Sequence, residues 1–367
     1  MSDLIKHYFA CSNTAKGFQN FFASNFKNLD KIYILKGGPG TGKSSLMKKI
    51  GATVTHKGVP VEYIHCSSDP HSLDGLIIRS IGTAIVDGTS PHVIEPTAPG
   101  ALEEYINLGT AWDVDSLALS RKKILFLQAE ISACYPKVYD CFSRALKIHD
   151  DWEKIYISHM NFQKANQYTE KVITNLLGNN HFDKKSTIMH RFFGGSTPEG
   201  PKDFVQELTA NIKTRYFIKG RPGSGKSTML KKILAATQGR GIDAEVYHCA
   251  FDPDSLDMLL IPELDLCIFD STAPHEYFPS RENDFTLDMY SELITPHTDE
   301  DYADVIADIS KRYKACTAEG TSHLAYAKYL HDDLEKYYIN ATNFDVINEI
   351  TDSLLKKIES KLTQLLM

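Results

Sequence analysis

The chain has no long apolar run. No apolar stretch in its 367 residues approaches the roughly 20 residues that a membrane-spanning helix needs, and the N-terminal MSDLIKHYF lacks the apolar core of a signal peptide. The seven cysteines are odd in number and include no CxxC pair, so a disulfide framework is not indicated. We therefore expect a soluble, cytoplasmic protein with reduced thiols and no membrane contact.

The chain also lacks an excess of basic residues. Its formal net charge is -7, which argues against broad contact with the phosphate backbone of DNA or RNA. Low-complexity tracts are absent, and with 42% hydrophobic and 24% charged residues the sequence has material for two packed cores. We expect a chain that is folded throughout and has no nucleic acid partner.

Two glycine-rich motifs stand out, GGPGTGKS at residues 37–44 and GRPGSGKS at residues 220–227. Both fit GxxxxGK(S/T), and each lies between an apolar run (KIYILK, RYFIK) and a helical pattern, as a phosphate-binding loop (P-loop) requires. In such loops backbone N–H groups surround a phosphate, the lysine neutralises the β and γ oxygens, and the serine hydroxyl coordinates Mg²⁺. The predicted nucleotide contacts are Gly37, Gly38, Pro39, Gly40, Thr41, Gly42, Lys43, Ser44 and Ser45, and Gly220, Arg221, Pro222, Gly223, Ser224, Gly225, Lys226, Ser227 and Thr228. Lys43 and Lys226 are also the predicted catalytic cations.

The two motifs belong to an internal duplication. Lys226 lies 183 residues after Lys43, and the same offset continues without a gap through HC, DP, SLD and the DGTSPH and DSTAPH segments. Further along, the offset becomes 182, because the second half has one residue fewer. The segment HDDWEKIYISHMNF begins at His149, and its counterpart HDDLEKYYINATNF begins at His331. The predicted domains are therefore residues 1–180 and 187–367, joined by a linker at about 177–186.

Each half shows the same order of elements. A strand precedes the P-loop and its helix, a second strand ends in HC, a short helix is expected around SLD, and a third strand ends in aspartate. After Pro91 and Pro274 the strand signal fades and helical patterns take over, with Pro136 marking a break between two helices. The predicted fold class is α/β: two tandem P-loop NTPase domains, each a parallel sheet flanked by helices with a large helical appendage.

An aspartate at the end of the third strand is the expected Mg²⁺ ligand. Asp87 and Asp270 follow TAIV and LCIF at matching distances from the P-loops and are predicted to act in catalysis and, with Ser44 and Ser227, to hold the metal. The alternative is that each aspartate only ends a strand. Many P-loop ATPases place a glutamate next, but Gly88 and Ser271 stand there.

Three repeated pairs could replace that glutamate. His92 and His275 could orient water or sense the γ-phosphate, or could be turn residues bonded to backbone. Asp69 and Asp252, which are also candidate catalytic residues, could instead begin turns. The third pair is the aspartate of SLD, at positions 74 and 257.

Further repeated features have competing interpretations. HC at positions 65–66 and 248–249 lacks the spacing of a zinc site, so strand-end packing is favoured. The acidic HDDxEK segment is either a packing joint, which we favour, or a contact to the nucleotide. Arg221, which replaces Gly38, either brings positive charge near the γ-phosphate or points to solvent. A guanine-reading NKxD motif is absent, so ATP is preferred over GTP.

The P-loops, the aspartate-ended strands and the HCSSDPxSLD and DGTxPH neighbourhoods together resemble a family of uncharacterised bacterial ATPases with two tandem P-loop domains, found mainly in Gram-positive spore formers. This resemblance covers the entire chain. It implies binding of ATP with Mg²⁺ by residues 37–45 and 220–228, while the missing glutamate argues against rapid hydrolysis.

The resulting hypothesis is an Mg²⁺-dependent ATPase that couples ATP state to conformational change or to binding of an unidentified protein or small-molecule partner. A nucleotide or small-molecule kinase and a non-hydrolysing ATP-dependent switch are the alternatives. Because of the duplication, the two halves are also expected to form an intramolecular pseudo-dimer.

Overall fold

The computed structural model describes residues 4–91 and 93–366 of the chain, the last two by their backbone alone. Its strands are β1 Ile5–Phe9, β2 Cys11–Thr14, β3 Gly17–Asn20, β4 Lys31–Lys36, β5 Val61–His65, β6 Leu73–Ile78, β7 Thr83–Asp87, β8 Glu103–Asn107, β9 Ile188–Phe192, β10 Gly194–Thr197, β11 Gly200–Asp203, β12 Thr214–Lys219, β13 Ala244–His248, β14 Leu256–Ile261, β15 Leu266–Asp270 and β16 Asp284–Asp288. Its helices are α1 Phe22–Asn25, α2 Lys43–His56, α3 Val114–Leu119, α4 Arg121–Ser158, α5 Phe162–Leu177, α6 Val205–Leu208, α7 Lys226–Gly239, α8 Met289–Leu293, α9 Thr298–Asp301, α10 Ala303–Asn340 and α11 Phe344–Leu366.

The protein is of the α/β class, and its contacts divide it into two compact units. Among the described residues, unit 1 comprises 4–8, 26–136 and 323–366, and unit 2 comprises 9–25 and 137–322. These units differ from the sequence halves 1–180 and 187–367. Unit 1 contains the first P-loop together with α11 and the end of α10 from the second half, whereas unit 2 contains the second P-loop together with α5 and the end of α4 from the first half.

The sheet of unit 1 has the order β1-β5-β6-β7-β4-β8. The central strand β4, which leads into the P-loop, pairs in parallel with β7 and with β8, so Leu35 lies opposite Asp87. By contrast, β6 is antiparallel to both β5 and β7. The sheet is therefore mixed.

Unit 2 has a sheet of the same pattern, in the order β9-β13-β14-β15-β12-β16. Strand β12 is parallel to β15 and β16, and β14 is antiparallel to its neighbours β13 and β15. Two hairpins, β2-β3 and β10-β11, also belong to this unit.

The prediction of purely parallel sheets was wrong, because β6 and β14 start within the SLD segments where short helices were expected. Their sequences LDGLII and LDMLLI have almost no exposed residues, and short apolar runs buried in this way suit an inner strand. The strand signal also does not end at Pro91 and Pro274. Strands β8 (EEYIN) and β16 (DFTLD) follow at the sheet edges, where polar and acidic residues interrupt the apolar pattern.

The helix break predicted at Pro136 is absent, since α4 continues through that residue. A proline inside a helix removes one backbone hydrogen bond and costs about 3 kcal/mol. Buried Cys134 and Val138 flank it, and burying a side chain of the size of Val138 contributes about 1.5–3 kcal/mol. Packing on both sides therefore offsets much of the cost.

The helices from the opposite sequence half belong to the hydrophobic cores. In unit 1, Leu354 and Ile358 of α11 pack with Ile50 of α2 and with residues of the sheet. In unit 2, Ile173 and Leu177 of α5 take the corresponding place. Each such fully buried side chain contributes about 1.5–3 kcal/mol, which explains why these helices group with these sheets.

Within the part of the chain that the structure describes, no helix combines the length and the apolar character that crossing a bilayer requires.

Candidate functional site

Both P-loops have the strand, loop and helix arrangement that the sequence predicts. Residues 37–42 connect β4 to α2, and residues 220–225 connect β12 to α7. Left-handed backbone occurs at corresponding glycines, with φ of 69° at Gly40, 87° at Gly42, 73° at Gly223 and 88° at Gly225. Glycine adopts this conformation without steric cost. The loops thus end at helix N-termini, where the helix dipole and unpaired N–H groups favour an anion.

The lysine of the first P-loop lies close to the aspartate of β7. Lys43 Nζ donates to the carbonyl oxygens of Gly37 and Gly38, at 2.9 and 2.8 Å. The same nitrogen lies 3.6 Å from Asp87 Oδ2. The structure therefore brings together the lysine and the aspartate, which are 44 positions apart in the sequence, as the two motifs predict.

The second P-loop repeats this geometry. Lys226 Nζ donates to the Arg221 carbonyl oxygen at 3.0 Å and lies 3.6 Å from Asp270 Oδ2. Both lysine side chains have only about a tenth of their surface exposed. Each ammonium group is thus held against its own loop.

The serine hydroxyls of the two motifs are tied to the strand that follows SLD. Ser44 Oγ accepts the backbone N–H of Leu73 at 3.0 Å, and Ser227 Oγ accepts that of Leu256 at 2.9 Å. These bonds use a lone pair of each oxygen and fix its position beside the first turn of the helix.

The two aspartates are oriented by a threonine two residues later. Asp87 Oδ1 accepts from the backbone N–H and the hydroxyl of Thr89, at 2.9 and 2.6 Å. Asp270 Oδ1 does the same with Thr272, at 3.1 and 2.6 Å. Only one carboxylate oxygen is used in this way, and Oδ2 faces the lysine. Carboxylate and hydroxyl oxygens are the ligands that Mg²⁺ prefers, so the donor set fits this ion.

Other P-loop side chains differ in their surroundings. Thr41 Oγ1 donates to the Gly38 carbonyl oxygen at 2.8 Å, whereas the buried hydroxyl of Ser224 has no hydrogen-bond partner among the described residues. An orphaned hydroxyl inside the second loop fits a ligand that supplies acceptor oxygens. Ser45 and Thr228 are exposed in the first helical turn.

Arg221, whose side chain is about half exposed, has an acidic partner. Its Nε and Nη2 donate to Asp299 Oδ2 at 2.9 and 2.7 Å, and its guanidinium lies over the Tyr290 ring at 5.2 Å from the centroid. Asp299 also accepts from the hydroxyl of buried Tyr156 at 2.8 Å. The arginine therefore joins the loop to the helical part of unit 2.

The structure describes only one of the two histidine candidates. His92 lies outside the described residues. His275 Nδ1 is 2.5 Å from Asp203 Oδ2, and the other oxygen of Asp203 accepts from the Tyr277 hydroxyl at 2.6 Å. Asp203 is mostly buried, which raises the pKa of its carboxyl, but its bonds from His275 and Tyr277 outweigh this and hold the pKa below the ordinary value. His275 thus has a fixed carboxylate partner.

The aspartates of the DP segments are turn residues in the structure. Asp69 Oδ2 accepts from Ser72 Oγ at 3.0 Å and lies 3.5 Å from Lys328 Nζ. Asp252 accepts from Ser255 Oγ at 2.9 Å and pairs with Lys16 at 2.7 Å. A contact of either carboxylate with a substrate stays a prediction.

The aspartates of the SLD segments are much less accessible. Asp74 is buried and interacts with the Cys66 thiol. Burial and the nearby charge of Asp270 raise the pKa of Asp257 to about 7. Two carboxyl groups that share one poorly solvated region disfavour a second negative charge.

The histidines of the HC segments each contact a histidine of a neighbouring strand. His7 and His65 approach within 2.9 Å, and His190 and His248 repeat this contact at the same distance. The second nitrogen of His65 is bonded to the Pro70 carbonyl oxygen at 3.1 Å. This agrees with strand-end packing rather than a zinc site.

The HDDxEK segment packs against the P-loop of its unit, and a contact of this segment with the nucleotide stays a prediction. A Cβ atom on Gly38 would be 2.6 Å from Cε1 of Tyr338, and one on Gly40 would be 3.0 Å from the backbone oxygen of Glu335. In unit 2, a Cβ atom on Gly223 would be 2.9 Å from Cα of Glu153. Only glycine allows these close approaches.

Each segment places a histidine and two carboxylates together beside the loop. The ligand atoms of His149, Asp150 and Glu153 lie within 4.8 Å of one another, as do those of His331, Asp332 and Glu335. The Nδ1 to Oε1 distances within the pairs His149–Glu153 and His331–Glu335 are 3.6 and 3.7 Å. Such a set has the atoms to bind a proton or a cation.

Electrostatics link the first of these clusters to the second P-loop. Burial raises the pKa of Glu153, as do the charges of Asp150 and Asp252, while Lys226 and the backbone N–H of Gly223 lower it. Burial, followed by the charge of Lys226, lowers the pKa of His149. The only sequence signal for this cluster was its repetition.

Comparisons of this chain with protein-family models, with curated proteins and with solved structures find no match.

Proposed function

We propose that each unit binds ATP with Mg²⁺ at its P-loop and hydrolyses it. The observation that carries this proposal is the repeated juxtaposition of the P-loop lysine with the strand-end aspartate, 3.6 Å apart in both units. Two copies of one constellation, each beside left-handed glycines at a helix N-terminus, fit the needs of a triphosphate.

The residues have separate tasks in this proposal. Lys43 and Lys226 give up their hydrogen bonds to loop carbonyl oxygens and donate instead to the β and γ phosphate oxygens of the nucleotide. Ser44 with Asp87, and Ser227 with Asp270, would hold Mg²⁺, which supplies positive charge to the phosphates when bound. Threonine bonds to the aspartates fix the free carboxylate oxygen in advance. A cytoplasmic location, where ATP and Mg²⁺ are abundant, accords with this activity.

The helices that lie on the P-loops offer a way to couple ATP to movement. The ends of α4 and α10 contact the loop glycines directly, so a change in the loop on gain or loss of the γ-phosphate acts on a helix of 38 residues. A small change at a phosphate can be amplified by a rigid element of this kind. Partner binding at these helices would then depend on nucleotide state.

The test is calorimetry with MgATP and an assay of phosphate release, on the wild type and on the double variant Lys43→Ala, Lys226→Ala. A charge-assisted hydrogen bond contributes about 1.5–3 kcal/mol, so we expect the affinity to fall roughly 10- to 100-fold and hydrolysis to be lost. Lys48→Ala, Lys231→Ala is the matched control, because these exposed lysines lie on the same helices. Equal activity in all three proteins, or no ATP uptake by the wild type, would refute the proposal.

A further inference from the structure

Hydrolysis at these sites needs a group that accepts a proton from water, and the neighbours of the strand-end aspartates cannot do so. Gly88 has no side chain, and the Ser271 hydroxyl is buried and donates to the Tyr277 carbonyl oxygen at 2.7 Å. Of the sequence candidates within the described residues, Asp69 is paired with Lys328, Asp252 with Lys16, and His275 with Asp203.

We propose that Glu153 and Glu335, from the helices exchanged between the sequence halves, are the catalytic bases: Glu153 serves the second P-loop and Glu335 the first. This inference rests on the proposed ATPase function and names the residues that complete it.

The position of Glu153 is the first argument. The ammonium group of a P-loop lysine marks where the β and γ oxygens bind, and that of Lys226 is bonded to the Arg221 carbonyl oxygen. Gly223, two residues further along the loop, is in contact with the backbone of Glu153, and its N–H interacts with the Glu153 carboxylate. The carboxylate therefore lies beside the loop, within range of the Lys226 charge.

Glu335 has the same relation to the first P-loop. Its backbone lies on Gly40, the counterpart of Gly223. One turn earlier on α10, burial and then the charges of Lys328 and Lys43 lower the pKa of His331, against the opposite effect of Glu335 and Asp332. In both sites the backbone of a glutamate therefore lies on the corresponding loop glycine, and each site takes this glutamate from the other half of the sequence.

The chemistry of the group is the second argument. In hydrolysis the water oxygen forms a bond to the γ-phosphorus, the bond from that phosphorus to the β–γ bridging oxygen breaks, and ADP leaves with the electron pair. The water proton passes to the glutamate carboxylate. Partial burial and neighbouring carboxylates raise the pKa of Glu153, and a carboxylate of higher pKa is a stronger base.

The test compares two double variants by phosphate release and by ATP calorimetry. Glu153→Gln, Glu335→Gln removes both proposed bases and keeps their size. Asp151→Asn, Asp333→Asn is the matched control, since these aspartates belong to the same HDDxEK segments but pair along the helix with Lys154 and Lys336. Because a general base contributes about 10²–10⁴-fold to a rate, we expect the glutamine variant to lose at least about 100-fold in kcat while its Kd for ATP changes less than about threefold.

The outcomes separate the two proposals. Hydrolysis by the glutamine variant at the rate of the wild type, with ATP still bound, overturns the role of the glutamates and leaves the ATPase proposal standing. Loss of ATP binding in the glutamine variant would show that the glutamates act in binding and also overturns the inference. A wild type that neither binds nor hydrolyses ATP refutes both.

Discussion

At the scale of single residues, the least solvated charges in unit 2 are paired. The Arg215 guanidinium makes two bonds to Asp284, from Nε at 2.8 Å and from Nη2 at 2.6 Å, and the Asp284 side chain is fully buried. Asp284 also accepts from the backbone N–H groups of Ser280 and Arg281. The bonds from Arg215, more than any other cause, lower the pKa of Asp284 to about 2. This ion pair joins β12, which precedes the P-loop, to the edge strand β16.

We predict that Asp284→Asn lowers the free energy of unfolding by about 3–5 kcal/mol at pH 7, because it leaves a buried guanidinium unpaired. A carboxyl whose pKa falls on folding stabilises above its unfolded value of about 3.9, and this contribution is lost as pH falls toward about 2. Urea unfolding at pH 7 and at pH 2.5 measures the difference, which should shrink at the lower pH. Asp140→Asn, at an exposed aspartate that also pairs with an arginine, is the control. A pH-independent difference would contradict the prediction.

At the scale of elements, α10 lies so close to the first P-loop that there is no room for a methyl group between them. Gly40 has φ of 69°, and a Cβ atom there would be 2.8 Å from Cγ1 of Ile339 and 3.0 Å from the Glu335 backbone oxygen. Gly58 has a similar φ of 79° but open space around it. Comparing substitutions at the two glycines therefore distinguishes the effect of backbone strain from the effect of contact with the helix.

We expect Gly40→Ala to weaken ATP binding and to destabilise unit 1 by more than Gly58→Ala does. Both substitutions carry the cost of left-handed backbone, about 1–2 kcal/mol, but only the first pushes the helix from the loop. Thermal unfolding and ATP calorimetry of both variants provide the comparison. If both lose equal stability and keep equal affinity, the helix does not constrain the loop.

Sequence patterns predicted the elements that carry a strong local signal. Strands β4 and β12 and their helices were evident from apolar runs next to GxxxxGKS, and Asp87 and Asp270 from a repeated strand end. Strands β8 and β16 were missed, because an edge strand in which polar and acidic residues alternate with apolar ones lacks the apolar run of an inner strand. The contact of Glu335 with Gly40 was missed because nearly 300 residues of sequence separate them, and no local pattern encodes such packing.

At the scale of the whole molecule, the sequence repeat and the compact units divide the chain differently. Lys43 and Glu153 belong to one repeat but to different units, whereas Lys43 and Glu335 share unit 1. The duplication was visible in the sequence. However, the local sequence patterns are the same whether each helix packs on the sheet of its own half or on that of the other half. Only long-range packing, such as that of Leu354 against the core of unit 1, decides between them.

This division predicts an unusual ranking of double variants. Lys43→Ala with Glu335→Gln changes one site twice, so phosphate release should equal that of Lys43→Ala alone, since changes within one site are not additive. Lys43→Ala with Glu153→Gln changes both sites, so release should fall at least about tenfold further. Steady-state phosphate release at saturating MgATP measures the ranking. The opposite order would show that each repeat completes its own site.

The exchange of helices also bears on how such a gene can have arisen. In this arrangement one copy of the repeat cannot cap its own P-loop, so an ancestor encoding a single repeat would have needed a second polypeptide, as a homodimer trading C-terminal helices. Fusion of the two genes would give one copy of each repeat per chain and would allow the two repeat sequences to change separately. The presence of Arg221 where the first loop has Gly38, with Asp299 as its partner, is a divergence of this kind.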